Sequence, residues 1–245
     1  MKKKKLLLPI LLLAPAFLAS QVAADEQTAP ETNLEVAAAS TNATDAATPA
    51  STEANTATSE GATESSADLP EANIIHTNDV HGRIVEEKGV IGDAKLAAVI
   101  DEERAKNPST LVVDAGDAFQ GLPISNSSKG EERAKILNEI GYDAMAVGNH
   151  EFDFGLDEAK KYKEILNFPL LSSNTYINGA RLFEASTIVD KDKNVVGDEF
   201  VVIGVTTPET ATKTHPKNVQ GVTFTDPISE VNKVIDEIEA RATAE

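Results

Sequence analysis

The stretch from Asp25 to about Pro70 limits what the rest of the chain can build. It carries nine acids (Asp25, Glu26, Glu31, Glu35, Asp45, Glu53, Glu60, Glu64, Asp68), no lysine or arginine and no aromatic residue, and consists mainly of Ala, Thr, Ser, Glu and Asn. Such a segment cannot bury enough apolar surface to offset the entropy of ordering it. We therefore expect a disordered, stalk-like linker over 25–70, and a folded part confined to 71–245. With 41% hydrophobic and 25% charged residues overall, that part supports one ordinary core.

The segment before the linker reads as a secretory signal peptide over 1–24. Lys2 to Lys5 form a basic start, Leu6 to Ala19 an apolar run, and Val22-Ala23-Ala24 a small-residue cleavage site. The run contains Pro9 and Pro15 and falls short of the ~20 residues a bilayer core requires, so no transmembrane segment is expected once the leader is removed. The chain has no cysteine, which rules out a disulfide framework, a lipid-modified cysteine and cysteine catalysis. Its net charge of −18 becomes more negative when Lys2 to Lys5 leave. A surface of that sign repels nucleic-acid polymers and anionic membranes.

From Glu71 onward strand and helix signals alternate. Ala72 to His76 reads as a short buried strand and Thr77 to Arg83 as a polar turn. A helix is predicted from Asp93 to Lys106, with Leu96, Val99 and Ile100 on one face and Asn107-Pro108 as its stop. Thr110 to Asp114 is a second strand. A helix over Glu131 to Ile140 presents Ile136, Leu137 and Ile140 inward and ends at Gly141. Ala144 to Val147 is a third strand, Leu156 to Leu166 a third helix and Phe168 to Ser172 a fourth strand, with two more near Thr187 to Asp190 and Phe200 to Val205. A last helix, capped by Asp226-Pro227, repeats Ile228, Val231, Ile235 and Ile238 along one side. Because a helix in such an alternation normally leads into another strand, the domain is expected to continue past Glu245.

Three loops that follow predicted strands hold the chemistry: Asn78 to Gly82, Ala115 to Gly121 and Gly148 to Asp153. In open α/β sheets such loops gather at the carboxyl edge. Asp79 and His81 could offer an oxygen and an imidazole nitrogen to one divalent ion from an extended turn. Taken alone, the triplet is equally a turn residue beside a surface histidine. Asp117, after Gly116, could bridge two ions, although Gly-Asp is also a common turn pair. Asn149 offers a neutral carbonyl oxygen or, alternatively, a cap for a turn. His150 offers a ring that can act at phosphate, and Asp153 a carboxylate that could fix its tautomer. Phosphate-loop, dinucleotide-fingerprint and serine-elbow motifs are absent from the sequence.

Together, Asp79-Val80-His81, Gly116-Asp117 and Gly148-Asn149-His150-Glu151 resemble, in order, the blocks of the calcineurin-like metallophosphoesterases. The longer strings Ile75 to Gly82 and Val147 to Asp153 are similar to those of the 5′-nucleotidase and 2′,3′-cyclic phosphodiesterase branch. The resemblance runs from about Ile74 to Phe224. It implies an α/β fold of βαβ metallophosphatase sheet layers flanked by helices, two divalent ions (zinc, manganese, cobalt or magnesium) and hydrolysis of nucleotide phosphate monoesters. It further implies that Asp79 and His81 hold one ion, that Asp117 bridges both and that Asn149 holds the second. His150 would contact the transferred phosphoryl group while Asp153 orients it. Asp153, where the cyclic phosphodiesterases tend to carry Asn, favours the 5′-nucleotidase branch.

The same resemblance exposes a gap. Relatives supply further histidine ligands and a nucleoside-binding lobe from positions beyond Glu245, so this length of chain is expected to bind metal weakly and to turn over poorly. Only His76, His81, His150 and His215 are present. His76 is expected to pack beneath the site and His215 to be an ordinary loop histidine. The localisation implied is secreted, with surface attachment through a region beyond Glu245. The alternatives are a 2′,3′-cyclic phosphodiesterase/3′-nucleotidase and a non-catalytic surface binding module.

Overall fold

Four parallel strands form the sheet that carries the three loops. The computed structural model describes residues 10–13, 72–191, 193 and 199–244. The rest of the expected leader with its cleavage site, and the expected linker, lie outside the described residues. The strands are β1 (Ile10–Leu13), β2 (Asn73–Thr77), β3 (Thr110–Asp114), β4 (Ala144–Ala146), β5 (Leu170–Leu171), β6 (Thr175–Ile177), β7 (Ala180–Arg181), β8 (Ser186–Val189), β9 (Phe200–Gly204) and β10 (Val222–Phe224). The helices are α1 (Asp93–Lys106), α2 (Pro123–Asn126), α3 (Glu131–Ile140), α4 (Leu156–Ile165), α5 (Thr210–Lys213) and α6 (Pro227–Ala244).

The first sheet has the order β2-β3-β4-β5, all parallel, with Ile75 opposite Val112 and Met145 opposite Leu170. A second sheet, β1-β9-β8, pairs β1 parallel and β8 antiparallel to β9. A small antiparallel sheet, β10-β6-β7, completes the set. Part of the apolar run read as a leader thus forms β1, with Ile10 opposite Val201 and Leu13 opposite Gly204.

Alternation along the strands sets the layers, because successive side chains leave a strand on opposite faces. On β3, Val112 packs into the cluster formed with Ile100, Leu137, Ile140 and Tyr162, on the side of α1, α3 and α4. Leu111 and Val113 turn the other way and meet Phe200 and Val202 of β9. On β9, Val201 and Ile203 point outward against Val234 of α6. The result is a sandwich in which helices cover two face-to-face sheets.

Several expectations are corrected by this packing. Val99 of α1 is exposed, so the buried face centres on Ile100 with Leu96 partly covered. On α6 the fully buried residue is Val234, while Ile228 at its start is solvent-facing. The strand at Asn73–Thr77 is an edge strand with only one face covered, rather than a buried one. His76 therefore faces solvent instead of packing beneath the site. The small sheet, α2, α5 and β10 were not expected. Their strands and helices run to between two and four residues, too short to show a period.

Among the described residues, one ion pair lies wholly inside. Arg133 on α3 donates through Nη1 to the Asp93 carboxylate at the start of α1, while its Nε and Nη2 find no partner among the described residues. Burial pushes the guanidinium down to about 10. Removing one member of such a pair leaves an uncompensated buried charge, whereas neutralising both costs much less. Arg133→Met should lower unfolding stability by roughly 3–5 kcal/mol, and adding Asp93→Asn should recover much of that loss, as read from urea unfolding of the two variants.

Candidate metal centre

The parallel order of β2, β3 and β4 puts the ends of all three strands, and therefore all three loops, on one edge of the sheet. Backbone bonds then zip the first loop to the second: Asp79 N–H donates to Gly116 O, His81 N–H to Asp117 O and Gly82 N–H to Ala118 O, each at 3.0 Å. Leu122 N–H returns to His81 O at 3.1 Å. The second loop is braced further by Asn126, whose carboxamide both accepts from Gly121 N–H and donates to Gly121 O.

Glu151 joins the second loop to the third. Its carboxylate, 1% exposed, accepts from Asp117 N–H and Gly148 N–H at 2.8 Å and from Ala118 N–H at 2.9 Å. In turn Asp117 Oδ1 accepts from His150 N–H at 2.8 Å. The loops approach so closely that a Cβ on Gly148 would lie 2.2 Å from Asp117 Oδ1, and one on Gly116 would lie 2.6 Å from Gly148 N. Both glycines of the sequence blocks are thus accounted for by contact with each other's loop.

The backbone at these positions is strained. Asp79 (φ 52°), His81 (φ 50°) and Asp117 (φ 59°) all adopt left-handed conformations, and they make up three of the five non-glycine residues that do so among the described residues. Such conformations cost of order 1–3 kcal/mol each and persist where surrounding structure enforces them. The Asp79-Val80-His81 turn is therefore left-handed at both candidate ligands, not extended as the spacing suggested.

Of the expected ligands, the structure brings His81 and Asp117 together and adds His150. One ligand atom from each of these residues lies within 4.8 Å of the others, and the two imidazoles meet edge-on with centroids 5.0 Å apart. His81 Nδ1 faces Gln120 O at 3.0 Å, an arrangement that places the proton on Nδ1 and leaves Nε2 for a ligand. Asp79 lies outside that tight group: its Oδ1 is 3.9 Å from His81 Nε2, its Oδ2 accepts from Asn78, and its side chain is 43% exposed. Asn149 is buried at the head of the third loop. It precedes the His150–Phe152 turn without capping it, so the capping alternative is not realised.

His150 Nδ1 lies 2.6 Å from Asp153 Oδ2. The bond to Asp153 raises the His150 pKa against the opposing effect of burial. Burial pushes the Asp153 carboxyl up, but the bonds to His150 and Thr214 together hold it below its ordinary value. Burial also raises Asp117, which a nearby cation would reverse, and takes Asp114 to about 7 and Glu151 to about 8. His215 is exposed, and its Nδ1 accepts from Lys217 N–H.

A donor set of imidazole, carboxylate and a carboxamide on a strained, acid-rich edge suits a divalent cation. The sequence reading missed the roles of Glu151, Gln120, Thr214 and Asn218. Glu151 stood within a recognised block, whereas Thr214 and Asn218 stood in a loop with no pattern of their own.

Comparison with known proteins bears on the family and the fold. The calcineurin-like phosphoesterase family profile matches residues 72–242. A 5′-nucleotidase of Vibrio cholerae is 42% identical over 175 residues, covering 69% of this chain and 31% of the relative. A bovine 5′-nucleotidase is 36% identical over 183 residues, again covering 69% of this chain and 31% of its own length. The crystal structure of a 5′-nucleotidase precursor from Thermus thermophilus superposes with a TM-score of 0.59 at 31% identity, covering 69% of this chain and 34% of that one. The chain thus spans about a third of the length of the relatives it matches.

Buried acids with raised folded pKa values hold protons that the unfolded chain gives up at lower pH. Their stabilising contribution is complete below the ordinary carboxyl pKa and is lost as pH rises through the folded values. For the metal-stripped chain, Asp114 and Glu151 place that loss between the ordinary range and about 7 and about 8 respectively. The melting temperature should therefore fall from about pH 5 to about pH 8, and Asp114→Asn should flatten the fall, as measured by thermal unfolding in chelator.

Proposed function

The chain belongs to the calcineurin-like phosphoesterase family, and from that premise we propose that it is the catalytic part of a secreted, metal-dependent hydrolase of nucleotide phosphate monoesters. The observation that carries the reading is the convergence of His81, Asp117 and His150 from three separate loops to within 4.8 Å. The 5′-nucleotidases among its relatives support nucleotides as the substrate class. The leader and acidic linker read from the sequence support export, with the domain held away from its attachment.

Asp79, His81, Asp117 and Asn149 would hold two divalent cations. Bound there, the cations would supply a water-derived nucleophile at neutral pH and neutralise the charge that develops on phosphorus. The chain's own residues do the rest. Glu151 fixes the spacing of the Asp117 and Gly148 loops through three N–H bonds. Gln120 O holds His81 in the tautomer that keeps Nε2 available. Asp153 holds Nδ1 of His150, leaving Nε2 to meet a phosphoryl oxygen and, as an imidazolium favoured by Asp153, to donate a proton or a charged hydrogen bond to it.

The test uses the full-length protein with adenosine monophosphate. Phosphate release should stop with a chelator and return with manganese or zinc. Asp117→Asn should lower kcat/KM by a factor of about 10² or more. Unchanged turnover in that variant would instead favour a surface binding module. Assaying a 2′,3′-cyclic nucleotide beside the monophosphate separates the two phosphoesterase branches.

A further inference from the structure

Asp153 is gripped from outside its own element. Its Oδ2 faces His150 Nδ1 at 2.6 Å, its Oδ1 accepts from Thr214 Oγ1 at 2.7 Å, and its backbone carbonyl accepts from Asn218 Nδ2 at 2.8 Å. Thr214 and Asn218 lie more than sixty residues away along the chain, on the segment that follows β9. Both of its side-chain oxygens and its carbonyl are therefore committed, one to the histidine and two to this strap.

The strap is itself held rigidly. Thr214 is 4% exposed. It closes α5, where Thr210 is anchored by its hydroxyl to Thr207 O at 2.7 Å. Pro216 follows His215, whose extended conformation (φ −65°, ψ 128°) is the one that a residue before proline prefers. Asn218 N–H then bonds back to His215 O at 2.8 Å. The path from β9 is pinned to the catalytic edge as well, because Thr206 Oγ1 donates to Val147 O at 2.7 Å at the end of β4.

A carboxylate with one oxygen bonded to a histidine can still rotate about its last torsion and exchange oxygens, which breaks and remakes the bond to the ring. A hydroxyl fixed on the second oxygen removes that freedom. Asp153 is only partly buried, with a side-chain exposure of 21%, so in the absence of Thr214 water would compete for both oxygens.

We propose that Thr214 is a positioning residue for phosphoester hydrolysis: with Asn218 it locks the Asp153 carboxylate against His150 Nδ1 and so aims the ring's other nitrogen at the phosphoryl group. The proposal rests on the role given above to His150. It makes the loop after β9 part of the catalytic apparatus, although no atom of Thr214 need touch substrate.

Two measurements test it. In the metal-free chain labelled with ¹⁵N-histidine, the His150 Nδ1–H proton, assigned by its loss in His150→Gln, should appear as a slowly exchanging downfield signal. That signal should vanish in Thr214→Val and persist in Thr214→Ser. In the full-length protein, Thr214→Val should lower kcat about tenfold with KM nearly unchanged, Thr214→Ser should restore most of it, and Thr214→Val should add nothing in an Asp153→Ala background. Thr214→Ala carries the same comparison should valine disturb the buried site. A retained Nδ1–H signal in Thr214→Val and Thr214→Ala, or an undiminished loss of kcat in the Asp153→Ala background, overturns the proposal. Absence of any phosphate release by the wild type would count against the proposed function alone, since the spectroscopic comparison decides the role of Thr214 by itself.

Discussion

The candidate site depends on one buried carboxylate that joins two of its loops. Glu151 accepts N–H bonds from Asp117, Ala118 and Gly148, and these tie the loop after β3 to the loop after β4. No apolar contact could do this, because the joined groups are backbone amides that turn away from any strand ladder. The first loop is added by backbone bonds to the second. The three loops are therefore held to one another by directional bonds, and the sheet supplies only their common edge. A buried acid with three donors carries a high desolvation cost, which burial expresses as a pKa pushed up to about 8. The arrangement is retained where holding two loops at a fixed spacing outweighs that cost.

Strain and charge point to the same cause. Asp79, His81 and Asp117 hold left-handed backbones, while Asp114, Asp117 and Glu151 gather buried carboxyls whose ionised forms are disfavoured. Without a countercharge each feature is destabilising. A cation beside Asp117 would turn the concentration of negative charge into attraction and would reward the conformations that turn the ligands inward. Asn149 adds a neutral carboxamide oxygen at the same edge, from a buried position at the head of the third loop.

Much of the fold was legible in the sequence, for reasons that differ by element. The bounds of α1 and α3 agree with expectation because stop signals are local: Asn107 is extended at the end of α1, and Gly141 adopts a left-handed cap (φ 79°) at the end of α3. The faces of helices were less legible. Val99 and Ile228 fit an apolar period yet lie exposed, because the width of the covered stripe is set by what packs there and not by the helix. The edge status of β2, and with it the exposure of His76, depends on sheet order, which the sequence of one strand does not carry. The candidate ligands were legible through residue type and order on successive loops, but their left-handed backbones were not, since only glycine announces that conformation in a sequence. Thr214 and Asn218 were silent for a further reason. A hydroxyl and a carboxamide in a loop acquire meaning only when a distant carboxylate comes within reach.

The two edges and the interior of this domain are governed by different forces, and this separates folding from chemistry. Between the sheets, Leu111, Val113, Phe200 and Val202 pack without polar partners, and apolar packing of this kind tolerates substitutions that conserve volume. At the loop-bearing edge the ends of β4, β5 and β9 are instead joined by side-chain hydrogen bonds. Thr206 Oγ1 reaches Val147 O, Ser172 Oγ lies 2.8 Å from Thr206 Oγ1, and the Asn174 carboxamide accepts from Thr206 N–H and donates to Thr206 O and Thr225 O. Each bond fixes direction as well as distance, and nearly every buried group in the network is satisfied. Volume-conserving replacement cannot reproduce such a network, because a missing hydroxyl leaves a stranded partner and not merely a smaller contact. The strap that holds Asp153 begins at Thr206 and ends at Asn218. Through Asp153, the segment that leaves the second sheet therefore reaches the loop on which His150 lies.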